Sequence, residues 1–377
     1  MKIALVCKQF KENKGGLERY TIVLSRELLK RGHQVHVLAH RRQEEPGIRF
    51  HHVPMLRFSS PLKNLSFAYF SRKVLEGHRF DVVQSMERVL DQDIFRASDG
   101  INPVQISERY TNPMVRQVKA FGPRRQALTY LEKRIFEGSG CRFVMTNSRL
   151  IKNQILDHYR ISPNRISVIY NSVDHQRFHP SVREKHREAV RTELGIPEND
   201  LLLLFVGNDF KRKGLPLLVQ SLNRLRNPRL KLVVVGHDRA GSHLKRTAKN
   251  QLDERIFFLG SQTRIEKYYG AADLLILPTR YDAFANVCLE AMACGVPVIT
   301  TRTNGAGEII DNGIQGYVLE TWEPEELSAK IDRCTSDATL SEMGKNAFTR
   351  AAAFTGERYM SELMALYDRV RIQKEQK

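Results

Sequence analysis

Two basic residues in the second half of the chain have the spacing of a ligand site. Arg212 and Lys213 follow the apolar run LLLLFVG and precede a helical pattern that begins near Leu215. Two cations at the end of a strand and the start of a helix suit a diphosphate, because Arg forms paired hydrogen bonds with it and Lys supplies a point charge. Taken alone, the pair is equally consistent with a solvated charge cluster on the surface.

Asp282 and Glu290 lie eight residues apart around the predicted start of a helix at Asn286. Glu290 would then sit about one turn inside the helix and Asp282 in the loop before it, so that both can face one ligand. The amides at the helix start are expected to be free donors for phosphate oxygens, those of Phe284, Ala285, Asn286 and Val287. Carboxylates beside a diphosphate are costly unless sugar and ribose hydroxyls donate to them. By itself, the spacing of Asp282 and Glu290 indicates little.

Strands alternate with helices along both halves of the chain. The apolar runs are KIALVC, HQVHVLAH, FDVVQS, RFVMTNS and RISVIYN in the first half, and LLLLFVG, LKLVVVG, RIFFLG, DLLILP and PVIT in the second. This alternation predicts an α/β protein with two doubly wound, Rossmann-like sheets. We place the domains at 1–178 and 179–355, with a charged linker near 175–198. The amphipathic segment 356–377 is predicted to be a C-terminal helix that packs back on the first domain.

Composition excludes several classes of protein. No apolar stretch approaches the roughly 18 residues of a spanning helix, and the apolar run after Met1 is too short for a signal peptide, so we expect a cytoplasmic protein. Five scattered cysteines without a CxxC pair are expected to be reduced thiols. Neither GxGxxG after a strand nor GxxxxGK[ST] occurs, which argues against dinucleotide-dependent dehydrogenases and P-loop enzymes.

The positive charge is concentrated in the first domain. Residues 1–180 contain 31 Lys and Arg against 16 Asp and Glu, whereas residues 181–377 contain 29 against 26. Such a field attracts nucleic acid, an acidic membrane or a phosphorylated glycolipid, although it can also serve solubility alone. Nucleic-acid binding is disfavoured because no zinc-finger or RNP-type signature is present. Segment 103–134 mixes basic with apolar residues, which is typical of an interfacial segment that docks on an anionic membrane. The predicted contacts are the apolar Tyr110, Met114, Val118, Phe121, Leu128, Tyr130 and Leu131 and the basic Arg116, Lys119, Arg124 and Arg125. Alternatively, the apolar residues pack in the core and the cations bind acceptor phosphates only.

The combined motifs resemble family 4 of the retaining glycosyltransferases, over almost the whole chain. The family pattern E-x7-E followed by AMACG-x-PV matches DAFANVCLEAMACGVPVIT, with GNDFKRKG upstream and NGAGEIIDNGIQGYVL downstream. The resemblance implies a GT-B fold, two Rossmann-like domains facing a cleft, with the acceptor on the N-terminal domain and the nucleotide sugar on the C-terminal one. The segment IYNSVDHQRF is similar to the family's hinge motif, with Asn171, Asp174 and Phe178 in place.

The resemblance also implies roles for individual residues. Glu290 matches the Glu that binds the donor ribose, and Asp282 falls on the Glu that contacts the transferred sugar, so its carboxylate is one methylene shorter here. Arg212 and Lys213 match the basic pair at the diphosphate, and Asn208 stands where an Arg often follows the strand glycine, here Gly207. Gly15 and Gly16 match a Gly-Gly loop that approaches the donor phosphate.

A narrower similarity concerns the acceptor. FRASDGINPVQI, YLEKRIFEGSG and GNDFKRKG resemble enzymes that add the first glucose to heptose of the lipopolysaccharide inner core, in which an Asp at the position of Asp99 lies on the acceptor side. This implies transfer of a hexose, glucose first among the candidates, from a UDP-sugar to a lipid-linked glycan at the inner face of the cytoplasmic membrane. The alternative is another glycan, such as capsule or exopolysaccharide, with another hexose. Asp99 alone could equally cap a turn before Gly100.

We expect no metal and no cofactor other than the donor substrate, and we expect a monomer. Asp91-Gln92-Asp93 spells the DxD motif of metal-dependent GT-A enzymes, but GT-B enzymes hold the diphosphate with cations and helix dipoles, so we interpret these residues as surface carboxylates. The twelve histidines show no HExxH or paired-Cys spacing.

Overall fold

The computed structural model of the protein describes residues 1–12, 16–109, 113–238, 241–335 and 337–376. The chain divides into two units. The first unit comprises Met1–Ile169 with Ser361–Lys377, and the second comprises Tyr170–Met360. Among the described residues, no helix is both long and apolar enough to cross a bilayer.

A parallel sheet of seven strands forms the centre of the first unit. The strands are β1 (Lys2–Phe10), β2 (Gln34–Arg42), β3 (Arg49–His52), β4 (Val82–Ser85), β5 (Gln92–Ala97), β6 (Cys141–Thr146) and β7 (Ile166–Val168). The helices are α1 (Gly16–Lys30), α2 (Ser60–Glu76), α3 (Asn102–Arg109), α4 (Pro113–Ala120), α5 (Pro123–Phe136) and α6 (Arg149–His158). The spatial order β3-β2-β1-β4-β5-β6-β7 reverses between β1 and β4, as a doubly wound sheet does.

The second unit has a parallel sheet of six strands. The strands are β8 (Leu201–Val206), β9 (Leu230–Val235), β10 (Ile256–Gly260), β11 (Leu274–Leu277), β12 (Val298–Thr301) and β13 (Gly316–Leu319). The helices are α7 (Ser181–Leu194), α8 (Leu215–Leu225), α9 (Ser242–Leu252), α10 (Glu266–Ala271), α11 (Asn286–Ala293), α12 (Pro324–Arg333) and α13 (Asp337–Ala351). The order β10-β9-β8-β11-β12-β13 reverses between β8 and β11, so the carboxyl ends of these two strands mark the expected ligand crevice. The predicted fold class is confirmed for both units.

The boundary between the units lies earlier than the sequence predicted. Residues 170–178 belong to the second unit rather than to the first. Val173 and Phe178 are buried in its core, and the Val173 amide donates to the Phe354 carbonyl at 3.0 Å. The predicted linker 175–198 contains the helix α7. This helix buries Val190 and Arg191, while its other charged residues face solvent or an acidic partner. Because the segment is highly charged, the sequence pattern did not predict that it forms a packed helix.

The C-terminal helix α14 (Gly356–Glu375) begins in the second unit, and its residues from Ser361 onward group with the first. Leu363, Tyr367 and Val370 are fully buried, and the Tyr367 hydroxyl donates to the Gln84 side chain on β4. Lys374 reaches Asp93 on β5 at 2.7 Å. These contacts attach the end of the chain to the middle of the first sheet.

The interpretation of Asp91 and Asp93 as surface carboxylates is wrong for Asp93, which is buried. The motif runs into β5, a strand that the sequence pattern misses, and Asp93 is only 6% exposed. Its carboxylate accepts from the Val83 amide at 2.8 Å and from Arg142 at 3.1 Å, in addition to Lys374. Asp91 pairs with Arg72 at 2.9 Å. Both carboxylates are engaged in ion pairs within the first unit.

Candidate active site

The loop after β8 begins with two residues that the sequence assigned to donor binding. Gly207 continues the strand pairing, since its amide donates to the Val235 carbonyl at 2.9 Å. A Cβ at this position would lie 3.2 Å from Cγ of Lys213, so the absence of a side chain lets the lysine stem pack against the backbone. The Asn208 side chain accepts from the His237 amide at 2.8 Å. Asn208 thus joins the loops that follow β8 and β9.

Gly214 makes the close packing of this loop possible. Its φ is +86°, and a Cβ there would lie 1.9 Å from the carbonyl oxygen of Pro278, which directly follows β11. Only glycine fits such a position without strain. The Arg212 carbonyl accepts from the Arg280 amide at 2.9 Å, and the Arg212 guanidinium donates to the Tyr281 carbonyl at 2.9 Å. These contacts place the basic pair at the carboxyl ends of β8 and β11, where the sheet order reverses.

The structure brings Arg212, Lys213 and Asp282 together. The Lys213 ammonium donates to the Asp282 carboxylate, and Arg212 lies 3.6 Å from the same oxygen while also pairing with Asp209 at 3.2 Å. The Lys213 and Asp282 side chains are 13% and 17% exposed, whereas Arg212 is 43% exposed. Lys213 and Asp282 therefore form a largely buried pair, and Arg212 supplies a more accessible cation beside it.

Asp282 has a fixed backbone. Its amide donates to the Thr303 carbonyl at 3.1 Å, and its carbonyl accepts from the Gly305 amide at 3.0 Å. The carboxylate oxygen that does not contact Lys213 accepts from the Phe284 amide at 3.3 Å. Asp282 is thereby held between the basic pair and the loop that leads into α11.

Two of the four predicted free amides are in fact occupied. The Phe284 amide donates to Asp282, and the Ala285 amide donates to the Asn304 side chain at 3.1 Å. Both residues are buried, so their donors require partners within the protein. Within the described residues, the amides of Asn286 and Val287 have no recorded acceptor. The helix start therefore offers two donors to a ligand instead of four.

Glu290 lies on α11, one turn from the helix start. Tyr269 on α10 donates its hydroxyl to Glu290 at 2.9 Å. Burial, and then the neighbouring carboxylate, raises the pKa of Tyr269 well above its ordinary value, so the phenol stays protonated as a donor. Phe178 packs edge-on against Tyr269 with ring centroids 5.9 Å apart. The hinge motif thus supports the residue that orients Glu290.

Asn304 is a functional candidate that the residue pattern did not single out. It is fully buried, and its side chain accepts from the Ala285 and Ala306 amides and donates to the Thr300 hydroxyl at 2.9 Å. Its amide nitrogen also lies 3.5 Å from the Cys288 thiol, whose pKa burial raises to about 12. Its place before a Gly-x-Gly turn was the available sequence signal, since Asn caps such turns. Through its bond with the Ala285 amide, Asn304 fixes the residue that precedes α11.

The remaining predicted residues lie in the first unit. Asp99 is exposed and lies two residues after the end of β5, and its carbonyl accepts from the Gln105 side chain at 2.7 Å. Gly16 is the exposed first residue of α1, and Gly15 lies outside the described residues. Asp99 and Gly16 therefore belong to a different unit from the basic pair.

A buried carboxylate supports the Asp99 loop. Glu132 on α5 is fully buried and accepts from the Asn102 amide at 2.9 Å and from the Tyr159 hydroxyl at 2.6 Å. Arg88 forms an ion pair with it at 2.8 Å and donates to the Gly100 carbonyl at 3.0 Å. These bonds hold the turn between β5 and α3, which includes Asp99.

Family models match both halves of the chain. The model described as Glycosyltransferase Family 4 matches residues 14–177, and the model described as Glycosyl transferases group 1 matches residues 186–350. Among curated relatives, a D-inositol 3-phosphate glycosyltransferase of Geodermatophilus obscurus is 28% identical and aligns with 94% of this chain and 84% of its own length. The lipopolysaccharide glucosyltransferase WaaG of Escherichia coli K12 is 26% identical over 86% of this chain and 87% of its own length.

Solved structures show the same fold. A crystal structure of WaaG, described as a glycosyltransferase involved in lipopolysaccharide biosynthesis, superposes with a TM-score of 0.80 at 23% identity, over 97% of this chain and 98% of that one. HepE from Anabaena in complex with UDP and glucose gives a TM-score of 0.72 at 20% identity, over 98% and 99%. On the family matches to both halves and the two parallel sheets, the chain belongs to the family 4 glycosyltransferases of the GT-B fold.

Proposed function

We propose that this enzyme transfers glucose from UDP-glucose, with retention of configuration, to a lipid-linked glycan whose first candidate is heptose of the lipopolysaccharide inner core. The observation that supports the donor assignment is the group formed by Arg212, Lys213 and Asp282 at the switch point of the second sheet. The similarity to WaaG favours heptose of the lipopolysaccharide inner core as the acceptor. The inositol-phosphate enzymes among the relatives make a phosphorylated polyol the second acceptor to test.

The proposed mechanism requires no protein base. The bond between the sugar C1 and the diphosphate breaks, the acceptor oxygen bonds to C1 on the same face, and the acceptor proton moves to an oxygen of the leaving diphosphate. Negative charge grows on that diphosphate as its bond breaks. Arg212, Lys213 and the Asn286 and Val287 amides stabilise it, since fixed donors that act where charge develops lower the barrier. Glu290 accepts from ribose hydroxyls, and Asp282 from those of the hexose.

A panel of nucleotide sugars tests the donor assignment. UDP-glucose, UDP-galactose, UDP-N-acetylglucosamine and GDP-mannose are each incubated with the purified full chain, and release of the nucleotide diphosphate is measured. UDP-glucose is expected to be hydrolysed fastest, and Lys213→Ala should lower kcat by about a hundredfold because the partner charge grows in the transition state. Lys211→Ala is the matched control, since Lys211 is exposed on the same loop. Undiminished turnover in Lys213→Ala would reject the role of the basic pair.

Metal independence is part of the same proposal. A cationic pair that already neutralises the diphosphate takes the place that a divalent ion has in GT-A enzymes, and Asp91 and Asp93 are engaged by basic side chains. Transfer is therefore expected to continue at full rate in EDTA. Loss of transfer in EDTA and recovery with Mn²⁺ would contradict it. NMR of the product anomer tests retention separately, because UDP-α-glucose should yield an α-glycoside.

The proposed acceptor is presented at a membrane, and α4 has the surface for contact with it. Met114 and Val118 lie four residues apart on α4, Phe121 directly follows the helix, and the three are 78%, 71% and 68% exposed. Basic residues flank them, of which Arg124 and Lys133 on α5 are exposed. Of the other predicted contacts, Leu131 packs in the core, while Tyr110 and the side chains of Arg116 and Lys119 lie outside the described part of the chain.

Vesicle co-sedimentation tests this surface. Binding should require anionic lipid and weaken as salt rises, because each cation near an anionic surface contributes about 1 kcal/mol that salt screens. Met114→Ser with Val118→Ser should reduce binding, whereas Ile372→Ser should not, since Ile372 is similarly exposed on α14. Equal binding to neutral vesicles, or none to anionic ones, would leave the basic residues as contacts for acceptor phosphates only.

A further inference from the structure

A cavity of about 760 Å³ opens in the second unit, at the edge of the sheet opposite to the basic pair. Its lining includes Leu201, the first residue of β8, Asp273, which precedes β11, and Pro297, which precedes β12. These positions are the amino ends of parallel strands, whereas Lys213 and Asp282 follow the carboxyl ends. The cavity is therefore separate from the proposed donor site. Its volume lies within the range of small-molecule sites.

Three guanidinium groups share one carboxylate at the wall of the cavity. Arg183, Arg187 and Arg191 recur every four residues on α7 and all donate to Asp273, at 3.0, 2.8 and 2.5 Å. Asp273 is 8% exposed. Two further carboxylates line the cavity, Glu198, which pairs with Arg187 at 2.6 Å, and Asp200, which lies 3.7 Å from Lys231. Arg183 therefore shares Asp273 with two other guanidinium groups, and its charge is only partly offset.

Two cations on the lining have unused donors. The Arg183 side chain is 45% exposed and, within the described part of the chain, donates to the Ala272 carbonyl and to Asp273, although a guanidinium has five N–H groups. Lys345 on α13 is exposed and has no ion pair recorded among the described residues. The lining also includes the apolar residues Pro180, Leu340 and Phe348. A guanidinium and an ammonium beside an apolar surface suit a small molecule with a phosphate group and a carbon skeleton.

The helix α11 connects this cavity with the donor site. Cys294 and Gly295, which follow the end of α11, line the cavity, while Asn286 begins the helix beside the donor site. Eight residues of helix span about 12 Å. Against Gly295, α13 packs so closely that a Cβ on Gly344 would lie 2.4 Å from the Gly295 carbonyl oxygen. A ligand held between α7 and α13 would therefore contact the end of the helix that holds Glu290.

We propose that this cavity binds a small phosphorylated metabolite and that its occupant changes the affinity of the donor site through α11. The binding claim stands without the proposed function, and only the coupling depends on it. Because coupling between two sites is reciprocal, UDP must then change the affinity of the cavity by the same factor.

Calorimetric titration tests the binding claim with inorganic phosphate, glucose 1-phosphate and AMP as probes. We expect at least one probe to bind Lys213→Ala protein, in which the donor site is weakened, and to bind about tenfold more weakly when Lys345→Gln is added, as loss of a charged hydrogen bond predicts. Arg183→Gln should have the same effect, and Arg224→Gln, a surface arginine on α8, should have none. Lys345→Gln is the safer variant for folding, since Lys345 forms no ion pair with the residues that the structure describes. Equal binding with and without Lys345 and Arg183, or no binding of any probe to Lys213→Ala, would overturn the proposal.

The coupling is measured as the Kd of UDP with and without the bound probe. A change of about threefold or more in the wild type, absent in Lys345→Gln, is expected for a coupled site. An unchanged Kd of UDP while the probe is bound would overturn the coupling. Failure of UDP to bind under any condition would instead contradict the proposed donor and leave the binding result at the cavity intact.

Discussion

Asp282→Asn should separate two effects that a single carboxylate has in the donor site. The Asp282 carboxylate forms an ion pair with Lys213 and lies 3.6 Å from Arg212. A diphosphate that binds these cations must come close to this negative charge. Asparagine has nearly the same shape and keeps an oxygen for the Phe284 amide, so the substitution removes the negative charge and the acceptor of the Lys213 ammonium.

The size of the effect follows from the burial of the pair. Two unit charges 4 Å apart interact by about 4 kcal/mol at an effective dielectric constant of 20. Exposed pairs contribute about 1 kcal/mol or less after desolvation and screening, and this pair, at 13% and 17% exposure, is more buried than those. If the Asp282 carboxylate opposes diphosphate binding by a net free energy of about 1 to 2 kcal/mol, UDP should bind about 5- to 30-fold more tightly to Asp282→Asn. Transfer of glucose should nevertheless slow, because the carboxylate no longer accepts from the hexose hydroxyls.

Calorimetry with UDP and initial rates with UDP-glucose measure the two effects. Asp209→Asn is the matched control, because Asp209 pairs with Arg212 at 3.2 Å but is 56% exposed. Asparagine also tolerates the left-handed backbone of Asp209, whose φ is +60°. UDP affinity in this control should change by less than about twofold, as for an exposed pair. If folded Asp282→Asn bound UDP no more tightly than the wild type, Asp282 would not compete with the diphosphate.

Three further predictions concern the supports of the two units. Tyr269→Phe removes the donor that orients Glu290 and should weaken UDP binding by about three- to tenfold in calorimetry, with no change in secondary structure by circular dichroism. Glu132→Gln leaves Arg88 without its buried partner and should lower the free energy of unfolding by about 3 to 5 kcal/mol in urea titrations, whereas the exposed Glu76→Gln should change it little. Burial, followed by neighbouring His51 and Lys2, lowers the pKa of His36 to about 4, so the first unit should lose stability as pH falls from about 6.5, the unfolded value, towards 4. This loss should be smaller in His36→Gln, and a thermal midpoint independent of pH in the wild type would contradict it.

The parts of the fold that could be predicted are those with strong apolar periodicity. LLLLFV is almost entirely buried as β8, and the basic pair follows it because the chain must turn from strand to helix at that edge. By contrast, RFHH forms β3 although only one of its four residues is apolar. Its pairing with β2, and not its apolar content, makes this segment a strand. GYVL forms β13 on only four residues. Short strands at sheet edges leave too few residues for a periodicity to be recognised.

Two errors in the sequence-based interpretation, at Asp93 and at the Ala285 amide, share one physical cause, which is pairing between distant residues. Asp93 is buried because Arg142 and Lys374 reach it from elsewhere in the chain. The Ala285 amide is occupied because Asn304, nineteen positions later, accepts from it. Local composition identifies a charge or a donor, but it cannot identify a partner that the fold supplies.

The occupied amides change how the donor site must work. With Phe284 and Ala285 engaged inside the protein, the helix start can offer the amides of Asn286 and Val287, so most of the positive charge facing a diphosphate belongs to Arg212 and Lys213. Asp282 cannot move away from them, because both its amide and its carbonyl are bonded to the segment 303–305. A shorter carboxylate on a fixed backbone stays beside the lysine instead of reaching further into the site. In the proposed donor site, the Asp that stands in place of the family's Glu is therefore expected to affect diphosphate binding as well as contact with the sugar, and the two effects have to be measured separately.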